Sequence, residues 1–265
     1  MYETGRNMET PIFETPKSEY DPQTAQALLE CAASYLRHAD RLIYSFGSRT
    51  FLAGYDLFDR EYDDRGNIDC STFVLLVLSG IPYEKSPYVT GDVKGFCADP
   101  SFLADPALVD FSKLPERYIP IAERIGHPEL AGPKGLDLNK AEQIGIDLKT
   151  LVKEIHASGV VRWSAKIAQC FLDRGWCFTD ASCAKPGDLV FFRFPGHFTE
   201  GERKYKSNAE ISHVGIFTED PSLMINSSGS YQKEKNADPS RPAVSIDPVF
   251  GKRQPAFFAR FCRND

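Results

Sequence analysis

Residues 67–80 read Asn-Ile-Asp-Cys-Ser-Thr-Phe-Val-Leu-Leu-Val-Leu-Ser-Gly, and no other stretch constrains the chain as tightly. A polar run rich in Asp and Arg stops at Cys70. An almost unbroken apolar run follows, and Gly80-Ile81-Pro82 ends it. Asp69 or Ser71 fits a helix N-cap, and Gly followed by Pro fits a helix stop. The run is too apolar for a surface helix, so it reads as a short helix buried on most sides. Val74 and Val77 are β-branched, which leaves a buried strand as the alternative. In the helical reading Cys70 sits at the N-terminal end, where the aligned peptide dipoles favour the thiolate, the nucleophilic form. The plainer reading makes Cys70 a small buried hydrophobe. A nucleophile needs a histidine supplied from elsewhere in the chain.

Building around a buried helix takes apolar material. With 265 residues, 42% of them hydrophobic and 12% aromatic, the chain has enough for a well-filled core. The net charge of -6 excludes a global basic footprint for nucleic acid. The densest basic cluster, Arg203, Lys204 and Lys206, lies beside Glu200 and Glu202 and reads as solvated surface. Seven cysteines, an odd number spread widely, fit free thiols in a reducing compartment. Residues 1–17 are polar and lack an apolar signal-peptide core, so the expectation is a cytoplasmic protein. No stretch is long enough to span a bilayer.

Along the chain, residues 1–20 read as an extended or mobile lead-in, and 21–265 as one domain carrying an insertion or subdomain at about 84–160. Asp21 caps and Pro22 opens a helix predicted to run to Ile43, with Ala25, Leu28, Leu29, Ala32, Ala33 and Leu36 at helical spacing. Prolines break the insertion into pieces, with helices predicted over Ala122–Ile125 and Leu138–Ala157. Another amphipathic helix fits Ser164–Arg174. Short β-type runs follow at 188–193, 213–218, 223–227 and 257–262. Helices first and strands later is an α+β pattern, with an antiparallel sheet packed on helices.

A thiol nucleophile needs a base within reach and a third group to orient it. Of five histidines, His127, His197 and His38 fall in turns, loops or helix ends, and His156 ends a helix. Only His213 begins a predicted core strand, where its ring can be held in place. The next strand carries Asn226 in an apolar setting, and a buried amide needs a partner. An imidazole on the neighbouring strand is one such partner. The plainer readings are a strand-end histidine bonded to backbone and a turn asparagine.

Asp69-Cys70-Ser71, Pro186-Gly187-Asp188-Leu189-Val190-Phe191-Phe192, His213-Val214-Gly215-Ile216-Phe217 and Met224-Ile225-Asn226 together resemble the NlpC-type cysteine peptidases. These are papain-like hydrolases of bacterial cell walls. The likeness covers about 21–83 and 161–262. It implies a papain-like α+β fold and catalytic Cys70, His213 and Asn226. It also implies substrate-binding Asp69 and Ser71, a tyrosine near the oxyanion for which Tyr62 is preferred over Tyr55, and no cofactor or metal. The implied reaction is hydrolysis of a peptidoglycan-derived peptide between γ-D-glutamate and a diamino acid. The sequence departs from the family at Thr72, where Gly is usual, and at Asn226, where His is common. The insertion and the 193–212 loop also exceed a minimal domain.

The competing readings are an amidase or other acyl-transfer enzyme on the same fold, and a non-catalytic peptidoglycan-binding module. A zinc site on Cys170, Cys177 and Cys183 lacks a paired Cys-x-x-Cys knuckle.

Overall fold

The computed structural model describes residues 12–45, 65–91, 118–132, 135–157, 163–193, 211–229, 242–251 and 254–261. It is a mixture of helices and a six-stranded antiparallel sheet, as the order of elements implies.

The buried run is a helix. Helix α2 spans Cys70–Leu78, and every one of its nine residues is buried. Asp69 is its N-cap and accepts from the Thr72 N–H at 2.7 Å, which satisfies one of the first-turn donors. The β-branched residues do not turn it into a strand, because the helix closes its own backbone hydrogen bonds while presenting side chains all round to a core.

Helix α1 spans Pro22–Arg37, capped by Asp21 as expected. The chain then leaves the helix well before Ile43. His38 caps its end, and Leu42–Tyr44 form strand β1, which pairs in parallel with β2, Gly66–Ile68. Leu42 and Ile43 are therefore strand residues together with Tyr44, a correction to the helix read as far as Ile43. Their β-branched and aromatic side chains favour that outcome.

The main sheet holds β3 (Cys177–Phe178), β4 (Leu189–Arg193), β5 (Ile211–Phe217), β6 (Leu223–Ser227), β7 (Val244–Pro248) and β8 (Pro255–Ala259). Their spatial order is β3-β8-β4-β5-β6-β7. Strand β7 had no counterpart in the sequence reading. One face bears Leu189, Phe191, Val214, Ile216, Ile225, Val244 and Phe257. These pack in the same core as α1, α2 and α7 (Trp163–Asp173). The other face bears Val190, Phe192, Phe217, Met224 and Phe258, joined by Phe178 and Val249. Period-two alternation thus divides the strands between two cores, which explains why their sequences are apolar throughout.

The Pro186-Gly187-Asp188 turn anchors β4. A Cβ on Gly187 would sit 3.0 Å from the Ala25 backbone, so only glycine lets the turn reach α1 without displacing it. Asp188 is buried and accepts from Nε and Nη2 of Arg260 at 3.1 and 2.9 Å. Arg260 also donates to the Cys183 carbonyl, so the guanidinium is multiply bonded. Burial raises the Asp188 carboxyl above the ordinary carboxylate range, and the Arg260 guanidinium pulls it back down. This motif is a clamp between the start of the sheet and the end of the described chain.

After a short helix α3 (Pro87–Thr90), helices α4 (Tyr118–Arg124), α5 (Leu138–Gln143) and α6 (Leu148–Ala157) share a core of their own, including Ile121, Leu130, Leu136, Leu151 and Ile155. The single helix expected over Leu138–Ala157 is two. Gly145 at φ +84 turns the chain between them, and Asp147 accepts from the Thr150 N–H in the first turn of α6. Tyr44 packs against both this core and the main one. Near the start of the described residues, Phe13 is bridged to Phe178 of β3.

Candidate active site

Two sets of polar groups sit inside apolar surroundings, one at the start of α2 and one across β5, β6 and β7. Helix α2 packs directly against β5 and β6, the strands that carry the second set.

At the helix start, Cys70 is the first helical residue and only 6% exposed. Its amide belongs to the first turn, where N–H groups lack intrahelical partners and the helix dipole presents its positive end. Asp69 and Ser71 are buried beside it. The Ser71 hydroxyl donates to Asp69 Oδ1 at 2.7 Å, and the same oxygen takes the Thr72 N–H. The cap therefore depends on Asp69 Oδ1, which takes both bonds. Thr72, at the position that departs from the family pattern, is buried.

On the strands, His213 lies near the start of β5, and its ring sits 5.7 Å from the Phe192 ring on β4. Its Nε2 is 2.9 Å from Asn226 Oδ1 on β6, so the structure brings His213 and Asn226 together as expected. Both are nearly inaccessible to water. Gly215 lies two residues beyond His213 on the same face. A Cβ there would approach Met224 Sδ to 2.6 Å and Asn226 Cβ to 3.3 Å. The glycine of His-Val-Gly-Ile-Phe thus leaves room for the asparagine that meets the histidine.

One member of this set was missed in the sequence. Asp247 on β7 accepts from Asn226 Nδ2 at 2.9 Å, from Ser245 Oγ at 2.9 Å and from Ser228 Oγ at 3.2 Å. Asn226 Nδ2 also reaches the Ser245 carbonyl, at 3.4 Å. The polar residues of Val244-Ser245-Ile246-Asp247-Pro248 alternate with apolar ones, a strand signal that was readable.

The thiols differ in setting. Burial pushes Cys31 up to about 12, and it also raises Cys177 far above an ordinary thiol. Burial thus disfavours the thiolate, the reactive form, at both. Among the described residues no group of His, Cys, Asp and Glu side chains is arranged to hold a metal ion. Cys170 and Cys177 are buried and Cys183 is half-buried, none of them in a disulfide. Of the other histidines, His38 stacks on Tyr83 and sits 3.3 Å from Glu84, and His127 lies between Glu129 and Glu154. Tyr62, Tyr55, His197 and the Arg203–Lys206 cluster lie outside the described residues.

No family model, curated protein or solved structure matches the chain. No helix among the described residues is long and apolar enough to cross a membrane.

Proposed function

We propose that the chain is a papain-like cysteine peptidase acting on peptides derived from peptidoglycan, with Cys70 as nucleophile and His213 as base. The observation that supports this best is the His213–Asn226 hydrogen bond, buried in an otherwise apolar sheet against which the Cys70 helix packs. A buried polar pair is costly unless it is fully bonded, and this one is kept, with Asp247 bonded to it, inside a sheet whose strands are otherwise largely apolar, which favours a role beyond packing.

The pairing of the Cys70 thiol with the His213 imidazole is the central requirement of the proposal. In the reaction His213 takes the thiol proton, and the thiolate sulfur bonds to the peptide carbonyl carbon. The tetrahedral oxyanion is held by first-turn amides of α2, that of Cys70 among them. As the C–N bond breaks, His213 returns its proton to the leaving amine. Water, deprotonated by His213, then hydrolyses the thioester and restores the thiol. The bond assigned is that between γ-D-glutamate and a diamino acid, on the strength of the sequence resemblance.

The test is incubation with purified muropeptides and identification of products by mass, with Cys70→Ala in parallel. Cleavage at that bond, lost in the variant, is the expected result. Release of ammonia or transfer of the acyl group to an added amine would assign the site to an amidase or acyltransferase. A wild-type protein that binds muropeptides without converting them would be a binding module.

A further inference from the structure

The orientation of an asparagine side chain decides what its neighbour must be. An amide has one face that accepts and one that donates, and turning it over exchanges them. Asn226 lies between two groups. One is the His213 ring, whose nitrogens can either donate or accept. The other is Asp247, whose carboxylate can only accept. The Asp247 contact therefore holds Nδ2 on its own side, and the Ser245 carbonyl adds a second, longer acceptor there. Oδ1 is left facing His213, and an amide oxygen cannot donate. The bond at 2.9 Å forms only when the ring carries its proton on Nε2. In the neutral imidazole the lone pair then sits on Nδ1.

Asp247 is itself held. The Ser245 and Ser228 hydroxyls both donate to Oδ2, the oxygen that receives Asn226 Nδ2. Three donors on one carboxylate oxygen fix its place on β7, the edge strand of the sheet among the described residues. The register of β6 with β7 sets Asn226 opposite Ser245 and brings Asp247 two residues along the same face.

We infer that Asp247 is a positioning residue which, through Asn226, sets the tautomer of His213 so that Nδ1 is the basic nitrogen. Its value to catalysis rests on the peptidase reading, since a base with its lone pair on the wrong nitrogen cannot take the thiol proton. The relay is a chain of three side chains, His213–Asn226–Asp247, on three successive strands.

The experiment reads the tautomer on the folded protein without substrate, by nitrogen-15 NMR of histidine-labelled protein at a pH where His213 is neutral. Asp247→Asn is the informative variant because it keeps the shape and replaces an acceptor by a group that can also donate. In the wild type a single Nε2-protonated form is expected. In Asp247→Asn both tautomers should appear, since Asn226 can then turn over. Ser245→Ala keeps the carboxylate and should retain the single form. In turnover, Asp247→Asn should lower kcat about tenfold with KM little changed, as when a transition-state proton transfer alone is impaired. An unchanged tautomer in Asp247→Asn, or the same mixture in Ser245→Ala, overturns the inference. A correct tautomer pattern in a protein that converts no peptide would instead overturn the peptidase reading and leave the role of Asp247 in orienting His213 standing.

Discussion

Oδ1 of Asn226 lies 2.9 Å from Nε2 of His213, across the neighbouring strands β6 and β5. The bond takes up Nε2, so that in the neutral ring the lone pair sits on Nδ1. It also ties the expected catalytic effects of the two residues together.

His213→Ala should abolish turnover nearly as completely as Cys70→Ala, with losses of about 10⁴-fold or more, because nucleophile and base act as a unit. Asn226→Ala should cost less, since packing beside Phe192 also holds the ring. Steady-state rates on one muropeptide, with circular dichroism to confirm folding, decide this. A fully active Cys70→Ala protein would end the peptidase reading.

Alkylation by iodoacetamide as a function of pH should separate the cysteines. A raised thiol pKa keeps the unreactive protonated form as pH increases, so Cys31, at about 12, should label only in strongly alkaline solution. Cys177 should behave likewise. Cys70 should label at neutral pH, and His213→Ala should shift its labelling to higher pH. Site-resolved mass spectrometry reads all three. Equal labelling profiles for Cys70 in wild type and His213→Ala would show that the two side chains are not paired.

Gly215→Ala should destabilise the fold by about 1–3 kcal/mol, the usual result of forcing a methyl into a filled core. The added carbon meets Met224 and Asn226, so catalysis should fall along with stability. Urea unfolding and kcat measured together test both. Met224→Ala in the same chain should recover part of the loss by making room.

Breaking the Asp188–Arg260 clamp from one side should cost about 3–5 kcal/mol, because a buried charge loses its partner. Asp188→Leu combined with Arg260→Met should cost less than the sum of the two single changes. A double-mutant cycle in urea gives the coupling. Effects that simply add would mean the guanidinium is held mainly by the Cys183 carbonyl.

Short peptides with a free N-terminal amine should be preferred. A carboxylate in a partly closed site attracts an ammonium more strongly than it would in water. Asp69 is the carboxylate proposed for that contact, with its Oδ1 already engaged by the cap. The comparison is Ala-γ-D-Glu-diamino acid against its N-acetylated form, in wild type and in Asp69→Asn. Asn also serves as an N-cap, so the helix should survive the change. Equal wild-type rates on both peptides would point to intact wall as substrate.

Much of this was written locally. Asp69 before an apolar run ended by Gly-Pro specifies α2, because a cap and a stop act within one turn of the helix. The strands carrying His213 and Asn226 were legible as short apolar runs, and a polar residue within such a run points to a partner. Leu42 and Ile43 read as helix because apolar residues continue beyond α1, and only the pairing of Leu42–Tyr44 with residues 66–68 makes them a strand. Asp247 was not legible as a site residue. A carboxylate on an alternating strand looks like ordinary solvent-facing polarity, and its partner Asn226 is 21 positions earlier. Caps, turns and periodicity are decided by neighbours along the chain. The register between β6 and β7, and with it the three-strand relay, is decided by hydrogen bonds and packing between segments far apart in sequence, which only the folded sheet brings together.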